Sequence, residues 1–460
     1  MKRFLILAVV IFSLFSLQAV NFDAHESYAR FQKGHSIGLS LFPVYESKST
    51  LLELDAFGSF YFDMVSFGLL LPVRFIIYNG DDMPVSGSIF PEEDWDDARD
   101  WVSILSFFQY GQKSDLFYFR FSDTLNRYIG NGTILGGYYS DLKLRFPKRG
   151  VNLAVNTDYA GFDLFMDDVT PPKIIGGRAY IKPVSFFSKE NYGNNLELGF
   201  TYFSDISAPY STSINNDEGI ISRDMSGSSQ QVFGFDVSMR FVQLRYYKMK
   251  FYNEINHIVD AGTGLHFGLE HTVLIPSSLD MKLISRWEYR LMQSNYIPAY
   301  FNTFYDIQRE NYRDSKPKSG FISSKALSDL DWTHGYYLDL VFDITGKFSI
   351  GGSFEHNRIY NSAATSKFDN FQINVFMNML IMKKIGADIT MTFEDIGEGK
   401  LADAPYFNVD VYYLLNDYFT IGFHAASKWY LRSEGEDFDT EYYYENTAVY
   451  SAGAYGMLRF

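Results

Sequence analysis

Hydrophobic and polar side chains alternate along most of this chain with a period of two residues. The clearest example is Gln231–Arg240, one face of which is apolar: Phe233, Phe235, Val237 and Met239. The opposite face of the same stretch is small, polar or charged: Gly234, Asp236, Ser238 and Arg240. Because successive side chains of a β-strand point to opposite faces of a sheet, this pattern predicts strands.

The alternation recurs throughout and predicts an all-β fold of about 20 antiparallel strands, within a range of roughly 16 to 22. Connections alternate between tight and long along the strand order. Asn156–Asp158 and Asn416–Asp417 are tight, whereas the insert Ser294–Asp331 is the longest in the chain. Both termini of a closed bacterial barrel lie on the periplasmic side, so this parity predicts short periplasmic turns and long extracellular loops.

The local sequence, together with that parity, gives several further assignments. The irregular segment Asp123–Arg149 is predicted to hide an extra strand or to fold inward as a constriction loop, and Tyr138–Phe146 within it is assigned to a loop. Ser204–Gln230 is also assigned to a loop. Trp101–Tyr110 is predicted to be a strand, and an acidic insert around Glu434 to Glu441 is predicted to precede the final strand.

The beginning of the chain reads as a targeting segment. Met1–Ala19 carries Lys2 and Arg3, then an apolar run, then a small residue at a plausible cleavage position, which is the plan of a secretory signal peptide. An uncleaved N-terminal anchor is the alternative. We therefore divide the chain into a signal peptide (1–19), a periplasmic lead-in (20–34) and a barrel (35–460).

The end of the chain, Val449 to Phe460, is an alternating strand that stops on an aromatic residue. A closed barrel pairs its last strand with its first and leaves no edge in lipid. Here the chain resembles the bacterial outer-membrane β-barrel proteins, whose final strand typically ends in Phe and carries an insertion signal. Leu458 and Phe460 match that pattern, whereas Gly456 stands where a third large apolar residue is usual.

The direction of the two strand faces follows from energetics. A basic side chain at the bilayer midplane costs roughly 2–4 kcal/mol, so in a barrel the charged faces have to line a wet lumen. A soluble β-sandwich would show the same alternation with its apolar face inward. The signal peptide and the C-terminal aromatic residue favour the transmembrane barrel.

Composition supports this class. Aromatic residues make up 18% of the chain, with 44 Phe and 35 Tyr, as expected for aromatic girdles at two membrane interfaces. The formal charge of −15 becomes −17 once Lys2 and Arg3 are removed, and an acidic chain does not suit a nucleic-acid partner. The chain has no cysteine, so structural disulfides are excluded.

The predicted lumenal faces carry many charges. On the central strands they are basic: Arg120, Arg178, Lys182, Arg240, Lys248, Lys250, Lys282, Arg286 and Arg290. On the early and late strands they are acidic: Glu53, Asp55, Asp339, Glu355, Asp388 and Asp410. Opposed charges across a pore would create a transverse field, as in the general porins that this chain resembles in plan. Alternatively, the charges pair with neighbours on adjacent strands and only keep the lumen wet.

Nothing in the sequence points to catalysis, a metal or a cofactor. His266 and His271 lie five positions apart in one predicted strand and therefore on opposite faces. The acidic runs Glu92–Asp97 and Glu434–Asp439 lack the ligand spacing of a known calcium loop and suit solvated loops.

The resemblance therefore implies an outer-membrane barrel, surrounded by lipid and inserted by the barrel-assembly machinery. Its expected function is that of a passive porin-like channel for small polar solutes, in an unknown oligomeric state. The alternative is a surface-exposed adhesin or structural barrel whose lumen is blocked by long loops.

Overall fold

The computed structural model describes most of the chain from residue 35 to residue 459. The described ranges are 35–46, 49–78, 89–91, 94–95, 98–122, 128–140, 142, 148–187, 196–208, 211–215, 220–224, 229–277, 280–293, 296–309, 332–344, 348–361, 366–381, 384–394, 406–416, 418–434 and 441–459. The predicted signal peptide, the lead-in and Phe460 lie outside them and stay predictions.

Alternating sequence produces strands over nearly the whole described chain. In order, the strands are β1 (Ser36–Glu46), β2 (Ser49–Tyr61), β3 (Val65–Tyr78), β4 (Leu105–Tyr110), β5 (Phe117–Ser122), β6 (Gly150–Asn156), β7 (Ala160–Met166), β8 (Ile174–Ile181), β9 (Leu196–Asp205), β10 (Ser211–Asn215) and β11 (Ile220–Asp224). They continue with β12 (Gln230–Gln243), β13 (Tyr247–Ile258), β14 (Gly262–Ile275), β15 (Met281–Gln293), β16 (Trp332–Ile344), β17 (Phe348–Asn361), β18 (Ser366–Ile381), β19 (Ile385–Glu394), β20 (Tyr406–Leu414), β21 (Phe419–Glu434) and β22 (Glu441–Arg459). Short helical segments within the described ranges are Ala98–Ser103, Tyr305–Gln308 and the 3₁₀ turn Pro183–Phe186.

Twenty of these strands form one antiparallel sheet in which each strand pairs with the next, β9 pairing with β12. The sheet closes because β1 pairs with β22, from Ser36 opposite Arg459 to Tyr45 opposite Tyr450. At this seam the strands approach closely: a Cβ added at Gly38 would lie 2.4 Å from the carbonyl oxygen of Gly456. The predicted closed antiparallel barrel of about 20 strands is confirmed.

The two faces of the wall separate as the alternation predicted. On β12, Phe235, Val237 and Met239 are exposed on the outer face, whereas Asp236 and Ser238 are buried on the inner one. On β1, Ile37, Leu39 and Leu41 are likewise exposed. The outer surface is therefore an apolar belt and the inner surface is polar, the arrangement that lipid outside and water inside require. None of the helices in the described ranges is long and apolar enough to cross a membrane.

Three local assignments were wrong. Trp101 belongs to the helix Ala98–Ser103, so the strand that follows begins only at Leu105. The segment predicted as a plain loop between β9 and β12 contains the separate hairpin β10–β11. The last two strands extend into the predicted acidic insert, to Glu434 on β21 and from Glu441 on β22. The sequence pattern did not show this because the backbone pairing of β21 with β22 continues beyond the residues that alternate between apolar and polar.

The wall is uneven in height. β4 to β8 have six to eight residues each, whereas β12 to β18 have 12 to 16. The connection 123–149 joins two of these short strands, β5 and β6. Tyr138–Ser140 and Leu142, described within it, are not in a strand, as predicted.

Candidate functional site

Two inserts fold against each other inside the ring of strands. The first insert is the connection 123–149 between β5 and β6, and the second is the connection 294–331 between β15 and β16. Leu135 and Phe301 form a parallel bridge between them. The amide of Ala299 donates to the carbonyl of Thr133 at 2.8 Å, and the amide of Phe301 donates to that of Ile134 at 3.0 Å. The described parts of the inserts are thus one unit.

An apolar core fixes this unit to one arc of the wall. Its insert residues are Ile129, Ile134, Leu135, Tyr138, Tyr296, Tyr300, Phe301 and Tyr305. Its wall residues are Phe165, Ile174, Phe203, Val232, Ile258 and Met292, from β7, β8, β9, β12, β13 and β15. These wall residues lie at the strand ends on the side of the barrel from which both inserts leave, which we call the loop end, so the core occupies that end of the lumen.

The same unit reaches the opposite wall. The rings of Tyr139 and Tyr406 lie 4.7 Å apart, and Phe304 meets Trp429 with centroids 5.9 Å apart. The backbone amide of Trp429 donates to the carbonyl of Leu142 at 2.8 Å. In the order of the 20-stranded ring, β20 stands ten places from β8, half a circuit away. The inserts therefore cross the lumen, which confirms that the first one folds inward.

Buried ion pairs anchor the inserts. Lys148 Nζ lies 2.6 Å from Asp167 and 2.6 Å from Asp306, which joins the first insert to the β7–β8 connection and to the second insert. Burial acts to lower the pKa of Lys148, but the two carboxylates outweigh it and raise that pKa above its ordinary value. Arg309 Nε pairs with Asp205 at 2.7 Å, and the hydroxyl of Tyr305 donates to the same carboxylate at 2.7 Å.

The tip of the first insert docks on charged side chains of β13 and β15. Asn131 Nδ2 donates to Glu254 Oε2 at 2.9 Å, and Lys250 Nζ donates to Asn131 Oδ1 at 2.9 Å. Arg286 Nη1 donates to the backbone carbonyl of Asn131, and Thr133 donates to Glu254. Two predicted lumenal bases, Lys250 and Arg286, thus hold an insert.

A second polar network lies beside this tip. His266 Nδ1 bonds to Glu288 Oε1 at 3.0 Å, and Nε2 of the same ring bonds to the Tyr296 hydroxyl at 2.7 Å. Arg290 Nε donates to Glu288 at 2.5 Å, and Arg290 Nη1 pairs with Glu355 at 3.1 Å. Tyr296 comes from the second insert, so this network also joins an insert to the wall.

The other predicted bases lie at different depths. Arg178 makes two bonds to Asp236, at 2.7 and 2.9 Å, and one to Glu197 at 2.7 Å. Arg120 donates to Gln109 at 2.8 Å. Lys182 donates to the carbonyl of Thr157 at 2.8 Å, and Lys282 pairs with Asp343 at 3.1 Å. Arg240 and Lys248 are exposed near the tight turn between β12 and β13.

The predicted acids lie in several places on the inner wall. Asp388 and Asp410 are buried on the inner face and stand directly opposite each other on β19 and β20. His424 Nδ1 bonds to Asp410 at 2.7 Å, and Asn408 donates to the same carboxylate at 2.9 Å. Asp339 is buried opposite Arg286, and Asp55 accepts from Ser40 at 2.8 Å.

Neighbour pairing is thus well represented among the lumenal charges. Arg178, Arg290 and Lys282 each have an acidic partner on the wall, which agrees with the alternative of pairing between neighbours. Asp236, Glu254 and Glu288 bring acids into the arc predicted to be basic. Sequence reasoning had placed Asp236 and Glu288 on inward faces but did not count them as site residues. The anchors Lys148, Asp205 and Asn131 lie at a strand end or in the inserts, where a two-residue period gives no signal.

Metal binding finds no support in the described part of the chain, where no group of three or more His, Asp or Glu side chains could hold an ion. His266 is buried in the lumenal network, whereas His271 bonds to Tyr247 on the other face. The two histidines therefore lie on opposite sides, as their spacing predicted.

A closed antiparallel ring with an apolar exterior, a charged interior and inserts folded into its lumen has the architecture of a bacterial outer-membrane β-barrel protein. No protein-family model and no curated protein matches the chain. Among solved structures, the chain is similar to OccAB4 of Acinetobacter baumannii, with 9% identity over 94% of this chain and 100% of that one, at a TM-score of 0.33.

Two further similarities are of the same size. OpdK of Pseudomonas aeruginosa, solved with vanillate, is 8% identical over 93% of this chain and 98% of that one, with a TM-score of 0.34. A mutant of the ferric enterobactin receptor PfeA of the same organism is 8% identical over 93% and 81%, with a TM-score of 0.33.

Proposed function

We propose that this protein is a passive, porin-like channel of the bacterial outer membrane that admits small polar solutes. The observation that carries the proposal is the closed ring of 20 strands with a polar lumen. Two inserts narrow this lumen and form part of its lining. An apolar belt around a charged interior suits a protein that separates lipid from a water-filled path.

The proposed path is lined by the inward charges. Its bases are Arg120, Arg178, Lys182, Arg240, Lys248, Lys250, Lys282, Arg286 and Arg290, and its acids are Asp339, Glu355, Asp388 and Asp410. Pairing between neighbours reduces the field of several of them, so the channel is expected to be weakly selective, with a mild preference for anions. Arg286 supports this sign because its guanidinium stacks on Tyr337 at 4.2 Å and donates to the backbone carbonyl of Asn131, both of which are neutral partners.

The test is single-channel recording of the refolded protein in a planar bilayer, with a salt gradient across it. Stable conductance steps with a reversal potential close to zero or on the anion side are expected. Strong cation selectivity would contradict the proposed role of the bases.

One observation favours a second function. The inserts touch both the β7–β15 arc and the β20–β21 wall, as a blocked lumen would require. A surface adhesin or structural barrel would give no conductance in the same recording, although it would fold equally well.

The proposal includes the ends and the orientation of the barrel. Met1–Ala19 is removed on export, residues 20–34 form a short periplasmic lead-in, and the long inserts lie at the extracellular end. Leu458, which pairs with Ile37 and is exposed on the outer face, and Phe460 carry the signal read by the assembly machinery. N-terminal sequencing of the envelope protein tests the first point, and the folded yield of a chain lacking Phe460 tests the last.

A further inference from the structure

Three polar groups of Asn131 hold the first insert on the wall: the side-chain Nδ2, the side-chain Oδ1 and the backbone carbonyl. Its Nδ2 donates to Glu254 at 2.9 Å and its Oδ1 accepts from Lys250 at 2.9 Å. Its backbone carbonyl accepts from Arg286. The side chain is 4% exposed, and Glu254 is 3% exposed, so these bonds lie away from water, where they are worth most.

The wall offers this tip a specific pattern of charge. Lys250 and Glu254 lie four residues apart on β13 and therefore share its inner face, and Arg286 lies two strands away on β15. An amide group matches this pattern because it has one acceptor and one donor. A carboxylate at the same position would accept from Lys250 but would face Glu254 with like charge.

The backbone around Asn131 is shaped for the same contact. Gly130 and Gly132 have φ angles of +60° and +73°, a region that other residues rarely adopt. A Cβ at Gly130 would also lie 2.7 Å from Arg178 Cδ. Two flanking glycines thus let a single side chain reach the wall.

We propose that Asn131 is the positioning residue of the constriction: its bonds to Glu254, Lys250 and Arg286 keep the first insert docked and so set the width of the lumen. The inference deepens the proposed channel function and rests on it, because it names what determines the size of the path. It assigns to Lys250 and Arg286 the task of holding the insert, in addition to any effect on solutes.

The experiment exchanges the acid and the amide. Asn131→Asp places a carboxylate against Glu254 and should undock the tip. Glu254→Gln keeps an acceptor for Asn131 and should leave the tip docked. Asn131→Asp combined with Glu254→Gln restores one donor, one acceptor and the original net charge, because the new glutamine amide donates to the new aspartate. The double variant should therefore behave as the parent protein does.

Docking can be read without any current. The chain has no cysteine, so Ile134→Cys introduces the sole thiol, next to the tip, at a side chain that is 1% exposed. A water-soluble maleimide should label it slowly in the parent background. In the Asn131→Asp background labelling should be about tenfold faster or more, since a coupling of 1.4 kcal/mol is a factor of ten in the docked population.

Bilayer recordings give the second readout: higher conductance for Asn131→Asp, and the parent conductance for Glu254→Gln and for the double variant. Asn408→Asp is the matched control, because Asn408 also donates to a lumenal carboxylate, Asp410, on a strand that does not hold this tip. It should leave the labelling rate unchanged.

The inference is overturned if Asn131→Asp labels as slowly as the parent, or if Glu254→Gln fails to restore slow labelling to it. Should Asn131→Asp not fold, as judged by heat-modifiable gel mobility, Asn131→Leu removes the same side-chain bonds without adding charge and should label fast. Failure of the channel proposal looks different: no variant conducts, while labelling still follows the pattern above.

Discussion

The inner faces of two arcs of this barrel differ in what covers them. At the loop end of the β7–β15 arc, inward residues are large and apolar, as with Phe165, Phe203 and Met292, and the inserts bury them. On the β16–β21 arc the inward residues include Asp339, Asp388 and Asp410, away from that core. The inner wall is apolar where the core of the inserts packs on it, and polar where it lines the lumen or binds the tip of the first insert.

The sequence shows this difference as a break in the alternation of apolar and polar residues. At the ends of β8, β12 and β15, two consecutive residues are apolar: Ile174–Ile175, Val232–Phe233 and Leu291–Met292. One member of each pair faces outward and the other belongs to the core beneath the inserts. A smaller cluster of Val44, Leu51 and Val449 marks a similar apolar inner patch beside the seam.

The largest effect is expected from removing the centre of the insert core. Phe301 is fully buried and its ring lies 5.9 Å from Phe203 and 4.8 Å from Tyr305. Phe301→Ala should weaken insert docking by about 3–5 kcal/mol, the usual cost of such a truncation. Limited proteolysis should then cut the inserts while heat-modifiable mobility shows an intact barrel. Phe423→Ala, on the exposed outer face, is the control, and equal protection of both variants would contradict the prediction.

The substitution Lys148→Met should weaken insert docking by about 3 kcal/mol, because Asp167 and Asp306 lose the ammonium group of Lys148. Limited proteolysis of Lys148→Met should therefore cut the inserts faster than it does in the parent protein, while heat-modifiable mobility shows an intact barrel.

The matched control for that variant is Lys113→Met. Lys113 pairs with Asp163 at 2.9 Å, but its side chain is 42% exposed, so this pair contributes at most about 1 kcal/mol. A loss of insert protection as large as that of Lys148→Met would show that the effect is a general one of surface charge.

Ion selectivity allows the charges of the two arcs to be compared. Replacing Lys282, Arg286 and Arg290 together by Gln should move the reversal potential toward cations, and replacing Asp388 and Asp410 by Asn should move it toward anions. Each charge lies near a low-dielectric wall, so its field extends further into the lumen than it would in bulk water. No shift in either variant would mean that neither arc faces the conducting path.

The smallest effect on stability is expected for the pair of Lys282 and Asp343, which lies near the tight turns of the barrel. Lys282 is 38% exposed and pairs with Asp343 at 3.1 Å. Asp343→Asn should change stability by less than about 1 kcal/mol, as exposed pairs usually do. A urea titration of heat-modifiable mobility measures this, and a loss as large as that of Lys148→Met would place the pair in a drier setting than its exposure indicates.

Much of the wall could be predicted because the two-residue period is strong on β12 and β15, where lipid outside and charge inside leave little choice of face. The parity of the connections also kept Tyr138–Phe146 out of the strand count. The inserts could not be predicted in detail, since their contacts join distant segments: Asn131 meets Glu254, and Leu135 meets Phe301. No local period encodes such pairs. Trp101 was misassigned because an aromatic residue suits a strand as well as a short helix.

The barrel is complete only when β1 pairs with β22 at the seam. The seam joins residues near the two ends of a 460-residue chain, from Ser36 with Arg459 to Tyr45 with Tyr450. Closing a flexible loop of several hundred residues in one step would cost about 5 kcal/mol of chain entropy, so pairing strand by strand, with the seam last, is the favourable order. Until then β1 and β22 both offer unpaired edges to other chains, a known route to aggregation. The chain consequently has to be kept from pairing with its neighbours up to the moment when its first and last strands meet.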